Sequence, residues 1–141
     1  MGYRFLSDVT SADIALKVEG RTKSDLFKSA AIAVMKVQID DSKLSNRLKK
    51  EISLSCKNLD CLLFRFLNEI IFLKDSERFV FGKINLKIVE NRDGYALSAI
   101  LHGETISGKH KQMVDVKGVS LHKFNVRKYR GKYYATIVLD V

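Results

Sequence analysis

The spacing of apolar residues along this chain changes period several times, and each change marks an element. From Asp13 to Gly20, Ile14, Leu16 and Val18 stand at every second position, the period of a half-buried strand, and Gly20 ends the run. The period then lengthens. Thr22 is a helix-capping residue with Asp25 three positions on, in the capping-box position. Leu26, Phe27, Ala30, Ala31, Val34 and Met35 follow at helical spacing, which predicts an amphipathic helix over 23–37. Residues 40–50 are polar and basic and read as a loop. Ile52, Leu54 and Cys56 alternate as a short strand, and Asn58 is a good N-cap. Leu59, Leu62, Leu63, Phe66, Leu67, Ile70 and Ile71 then form a stripe broad enough to be buried against a sheet, in a second helix running to about Lys74.

The remainder is strand-like. Ile84, Leu86 and Ile88 alternate, Asn91–Gly94 is a turn, and Tyr95, Leu97, Ala99 and Leu101 alternate after it, a hairpin signal. Residues 103–111 read as a polar loop. Residues 113–126 are one long strand or two short ones. Arg130-Gly131, between Tyr129 and Tyr133-Tyr134, reads as a second hairpin turn, and 132–141 close the chain as a strand. The expected class is α+β: two helices packed on a mainly antiparallel sheet of about six or seven strands.

Composition narrows the class. The 141 residues, 46% hydrophobic and 29% charged, are globular in balance and suit a single domain over 1–141. There is no proline, and nothing marks a linker. No stretch near the N-terminus is apolar enough for a signal peptide or membrane span, so the expected compartment is the cytoplasm, with no membrane partner. Cys56 and Cys61 do not form a CxxC and are read as buried thiols in a reducing compartment.

The net charge of +9 is unevenly spread: between Gly108 and Lys132 there are eight Lys or Arg and one acid, Asp115. Such a stretch is either a solvated basic face or a surface for acidic partners, nucleic acid included.

Self-contained chemistry is hard to assemble. Neither GxxxxGK[ST] nor GxGxxG occurs, nor a GxSxG elbow. His102, His110 and His122 have no metal-ligand spacing on a helix, and no aromatic RNA-stacking signature of the RRM kind is present. Two acids stand out by position. Asp13 begins the first predicted strand, and Asp140 sits in an apolar strand end, Ile137-Val138-Leu139-Asp140-Val141, where burial of a carboxylate is costly unless it is paired. With the terminal group of Val141 they would offer oxygen donors suited to calcium, magnesium or manganese. The alternative is a solvated strand end that binds nothing. Lys117, among Val114, Val116 and Val119, either faces outward or aims its charge at a phosphate or at the acidic site.

Taken in order, several segments resemble the archease family over nearly the whole chain. Ser11-Ala12-Asp13-Ile14 is similar to the family's threonine-alanine-aspartate motif, and 26–37 to its alanine-rich helix. Phe66-Leu67-Asn68-Glu69-Ile70-Ile71-Phe72-Leu73 resembles its WLNELL-type helix. Gly103-Glu104 matches a glycine-glutamate pair, Val116-Lys117-Gly118-Val119-Ser120-Leu121-His122 a lysine-containing strand ending in histidine, and Leu139-Asp140-Val141 the family's ending. The chain departs from the family at Thr10, where members usually have histidine, at Thr105, where proline often follows the glutamate, and at Phe66, which replaces tryptophan.

The resemblance implies a non-enzymatic accessory protein of the GTP- and manganese-dependent RNA ligase of tRNA splicing. Such a protein promotes guanylylation of the ligase and its multiple turnover, and meets tRNA through the ligase. By the same resemblance Asp13, Asp140 and Val141 would hold a divalent cation, calcium, magnesium or manganese, with Lys117 a functional basic residue beside it. The other reading is an RNA-binding or chaperone-like module that uses the basic 108–132 surface.

Overall fold

The computed structural model describes residues 2–5, 13–40 and 44–141, apart from the side chains at 5 and 121–123. Within them the order is β1 (Gly2–Phe5), β2 (Asp13–Gly20), α1 (Lys23–Gln38), β3 (Leu48–Cys56), α2 (Leu59–Glu77), β4 (Phe79–Asn91), β5 (Gly94–Thr105), β6 (Gly118–Tyr129) and β7 (Lys132–Asp140). The α+β class is as expected. The strands, all antiparallel, divide into two sheets, ordered β1-β2-β7-β6 and β3-β5-β4.

Local chemistry accounts for the element ends. The Asp25 N–H donates to Thr22 Oγ1 at 3.0 Å and the Cys61 N–H to Asn58 Oδ1 at 2.8 Å, each satisfying a donor that a helix start leaves open. α2 runs past Lys74 to Glu77 and stops at Arg78, which adopts a left-handed φ of 55°. The β6–β7 turn has φ of 50° at Arg130 and 80° at Gly131, the pair of positive values a two-residue hairpin loop requires.

Several boundaries differ from the sequence reading. The strand expected over 113–126 is β6, Gly118–Tyr129, because 113–115 are bonded to the ends of α1 and α2 instead of pairing in a sheet, and β4 begins at Phe79, before the alternation that starts at Ile84. β1 was not foreseen: four residues at a sheet edge are too few for alternation to register. β3 begins at Leu48, inside the expected 40–50 loop, because its first residues lie on an edge strand whose side chains are exposed. β5 extends to Thr105, beyond the start expected for the polar loop at Gly103.

Both helices touch both sheets. α1 packs on β1, β2 and β7 of the larger sheet and on β4 of the smaller; α2 packs on β6 of the larger and on β3, β4 and β5 of the smaller. Their facing stripes, with Phe27 stacked on Phe66 at 6.1 Å between ring centroids, form one buried cluster with the inner faces of the sheets. On the larger sheet Leu16, Val18, Ala135, Ile137 and Leu139 point into that cluster. The period of two therefore turns Asp13, Lys17, Glu19, Tyr134, Thr136 and Asp140 to the opposite face. No described helix is long and apolar enough to cross a membrane.

Candidate functional site

Strand register brings the two singled-out acids together. β2 and β7 pair antiparallel with Asp13 directly opposite Asp140, and β6 pairs with β7 with Gly118 opposite Asp140. Directly opposed residues on one face have β-carbons roughly 5 Å apart, so two carboxylates from opposite ends of the chain share one outward patch. Asp140 is exposed, while Asp13 and Val141 are half-buried.

Lys117 joins them through its backbone. It lies outside β6, one residue before the strand starts, and its N–H donates to the Asp140 carbonyl at 2.8 Å. The segment carrying it is held along its length. The Met113 and Val114 N–H groups donate to Gln38 and Val37 at the end of α1, at 2.9 and 3.1 Å. Lys74 Nζ of α2 lies 3.0 Å from Asp115 Oδ1, and Val116 is fully buried. Lys117, exposed between these anchors, carries its ammonium on a flexible side chain that springs from a held stretch of backbone.

α2 supplies two supports that pattern reading did not assign. Asn68 accepts the Val119 N–H at 3.2 Å while its own amide donates to the Phe64 carbonyl at 3.0 Å. Asp60 accepts the Val126 N–H at 2.6 Å. These two contacts flank the irregularity between Ser120 and Asn125 where β6 leaves register with β7. Asn68 was visible only as a polar residue inside a helix motif, and its partner lies on a strand that no local spacing could identify.

The donors suit a hard cation in kind: two carboxylates and the main-chain oxygen of Val141, all oxygen, with the rest of a coordination shell left to water. Among the described residues no cluster of three or more His, Cys, Asp or Glu side chains could hold a metal ion, so the site would rest on that pair. Thr10, Ser11 and Ala12 of the first motif lie outside the described residues.

Glu104, the acid of the glycine-glutamate pair, does different work at the end of β5. Buried, it accepts the Ser45 N–H, meets Lys109 Nζ at 3.0 Å, and faces His110 Nε2 at 3.3 Å. His110 Nδ1 accepts the Ser107 N–H at 2.9 Å, which fixes the ring beside the carboxylate. The Ser45 bond first, and Lys109 next, lower the Glu104 pKa from 4.5 to about 2. The group ties the 106–112 turn to the segment before β3.

The cysteines depart from expectation. Cys61 is exposed and Cys56 only half-buried, because Cys61 occupies the outward side of the first turn of α2. The Cys61 thiol donates to Cys56 Sγ at 3.0 Å, and that bond is the main cause of a raised Cys61 pKa. Among the described residues the cations of the 108–132 stretch take different places: Lys109 binds Glu104, Lys117 stands by Asp140, and Arg127, Lys128, Arg130 and Lys132 belong to the β6–β7 hairpin.

Comparison with known proteins agrees over the full length. The sequence pattern of the Archease protein family matches residues 3–141. The protein archease of Archaeoglobus fulgidus is 34% identical over 143 aligned positions, covering 100% of both chains. That of Thermococcus gammatolerans is 31% identical over 133, covering 93% of this chain and 94% of its own. The solution structure of Methanobacterium thermoautotrophicum protein 1598 superposes with a TM-score of 0.88 at 30% identity, covering 99% of each chain. A crystal structure from Thermotoga maritima, described as an archease and possible chaperone, superposes at 0.65 with 16% identity, covering 94% and 93%, and so shares the fold.

Proposed function

The chain belongs to the archease protein family, and from that premise we propose that it is the accessory factor of a GTP- and manganese-dependent tRNA-splicing RNA ligase, working in the cytoplasm and not itself an enzyme. The observation that carries the reading is the opposition of Asp13 and Asp140 across β2 and β7, with Lys117 bonded to the Asp140 backbone. Like charges set opposite each other in a ladder are unfavourable by themselves. Two such residues beside a lysine fit a docking tip better than a strand end selected only for stability.

In this reading Asp13 and Asp140, with the main-chain oxygen of Val141, would hold a divalent cation: calcium, magnesium or manganese. When bound, that cation would supply positive charge for a phosphate oxygen. The protein's own part is positional. The β2–β7 ladder presents the carboxylates at a sheet end, and the anchored 113–117 segment presents the Lys117 ammonium to a phosphate or an acidic group of the ligase. Tying the tip to three strands and α2 lets it meet the ligase with little ordering cost.

The test is RNA joining by the cognate ligase with GTP and manganese, with and without sub-stoichiometric protein. The proposal expects turnover and ligase guanylylation to rise several-fold with the natural chain. Folded Asp13→Ala, Asp140→Ala and Lys117→Ala variants are expected to lose most of that gain. Full stimulation by all three would remove the acidic tip from the mechanism, and no stimulation by the natural chain would remove the ligase role.

A further inference from the structure

The outward face of the larger sheet carries, beyond the acidic end, a set of cations and rings that the acidic tip does not use. Registered pairs place Arg4 opposite Lys17, Lys17 opposite Thr136, and Thr136 opposite Asn125; the next row sets Glu19 opposite Tyr134 and Tyr134 opposite Arg127; a third sets Tyr129 opposite Lys132. Directly opposed residues share a face, so four strands contribute to one surface. Glu19 is the one acid in these rows. Among the described residues none of Arg4, Lys17, Arg127 and Lys132 makes an ion pair. Tyr129 is 59% exposed, with the Arg130 guanidinium 5.3 Å from its ring centroid. Two shallow concavities, of about 300 and 420 Å³, adjoin on this face and both include Lys17 and Tyr134.

We propose that this face binds single-stranded RNA directly, with Arg4, Lys17, Arg127 and Lys132 along the phosphates and Tyr129 and Tyr134 against bases. Charge complementarity favours a polyanion, because cations come from all four strands and one acid interrupts them. The rings narrow the choice. An acidic protein surface would also pack on tyrosines, but the alternation of cations and rings along the rows matches a single strand, which offers a phosphate and a flat base at every step. Duplex fits less well, since its bases are stacked inward and unavailable to the rings. The choice of RNA among single-stranded polyanions rests on the ligase reading above; the binding surface itself does not.

The experiment is fluorescence anisotropy of a short labelled single-stranded RNA with the full chain alone, from about 50 to 200 mM salt. Expected is binding whose log affinity falls against log salt with a slope of about −2 to −3, for three or four neutralised phosphates. Lys17→Ala and Arg127→Ala should each weaken binding and flatten the slope by about 0.7. Tyr134→Ala should weaken it about tenfold with the slope unchanged, and Tyr134→Phe should restore it. Circular dichroism of each variant checks folding, and the Arg127→Ala change, at an exposed position, guards against a variant that fails to fold. The proposal is overturned by absence of binding at low salt, or by binding that the Lys17/Arg127 double variant leaves undiminished. It is overturned equally if polyglutamate displaces the RNA as well as unlabelled RNA does while Tyr134→Ala is neutral, which marks a surface for an acidic protein. Ligase stimulation by the same samples separates the two readings: RNA binding without stimulation refutes only the accessory role.

Discussion

Replacing Asp140 by Asn should stabilise the protein without divalent cations and cost it stability in their presence. The register sets Asp13 and Asp140 directly opposite each other. At roughly 5 Å in a water-like dielectric, two negative charges repel by about 0.8 kcal/mol, in line with the ~0.2–1 kcal/mol seen for cross-strand pairs. Unfolding a chain of this length carries an entropy near 300 cal/mol/K, so 1 kcal/mol corresponds to about 3 °C in Tm. In EDTA, Asp140→Asn should therefore melt about 1–3 °C above the natural chain, and Asp13→Asn, at a residue with a further contact of its own, serves as the second variant in the cation titration. A cation held by both carboxylates reverses the order. At a concentration a hundredfold above its Kd it adds about 2.7 kcal/mol, or about 9 °C, to the natural chain, and much less to either variant. Differential scanning fluorimetry with calcium, magnesium and manganese titrated separately reads the crossing and ranks the ions. If no cation raises the natural chain's Tm, or if both variants gain as much as it does, the carboxylate pair is not a cation site.

Other consequences can be checked on the same samples. Asn68→Ala leaves the Val119 N–H without its acceptor and should cost about 1–3 kcal/mol in urea unfolding, whereas Asn68→Asp, which keeps an oxygen there, should cost less. Glu104 has a folded pKa lowered to about 2 from 4.5, so the stability it contributes is fully present above pH 4.5 and is lost as pH falls through about 2. The natural chain should then lose more Tm across that window than Glu104→Gln does, and parallel losses would contradict the assignment. Cys61 titrates above a free thiol because it donates to Cys56 Sγ, so Cys56→Ala should speed its alkylation at neutral pH. An unchanged or slower rate would show that the bond does not govern it.

What could be read from the chain was whatever has a local cause. Thr22 and Asn58 announced their helices because a cap acts within three residues, and Arg130-Gly131 announced its turn because positive φ favours glycine. The broad stripe of α2 correctly signalled burial. Period two, however, reports which face a residue takes and not which strand lies beside it, so the division of the strands into two sheets was out of reach. The same limit applied to the site. Asp13 and Asp140 could be suspected singly, but their opposition is a matter of register between opposite ends of the chain, as is the bond from Lys117 to Asp140. Cys61 was misjudged because the usual burial of thiols gives no weight to a place in the first turn of a helix, where the side chain looks outward.

The basic character of the chain shows most clearly what spatial sorting adds. Eight cations crowd residues 108–132 in sequence, yet the fold sends Lys109 to Glu104 and Lys117 to the acidic end, while Arg4 and Lys17 arrive from distant positions to join the hairpin cations on the sheet face. Along β2, Asp13 and Lys17 stand on that same face four residues apart, about 13 Å at strand spacing. Physiological salt screens charge over about 8 Å, so the acidic end and the basic rows do not cancel, and each keeps its own sign. The larger sheet thus carries two separate fields of opposite sign, which the net charge of +9 for the whole chain conceals. A polyanion held by the basic rows and a cation held at the acidic end would lie side by side on a single rigid surface, the arrangement expected of a protein that presents RNA and a divalent ion to the same catalytic partner.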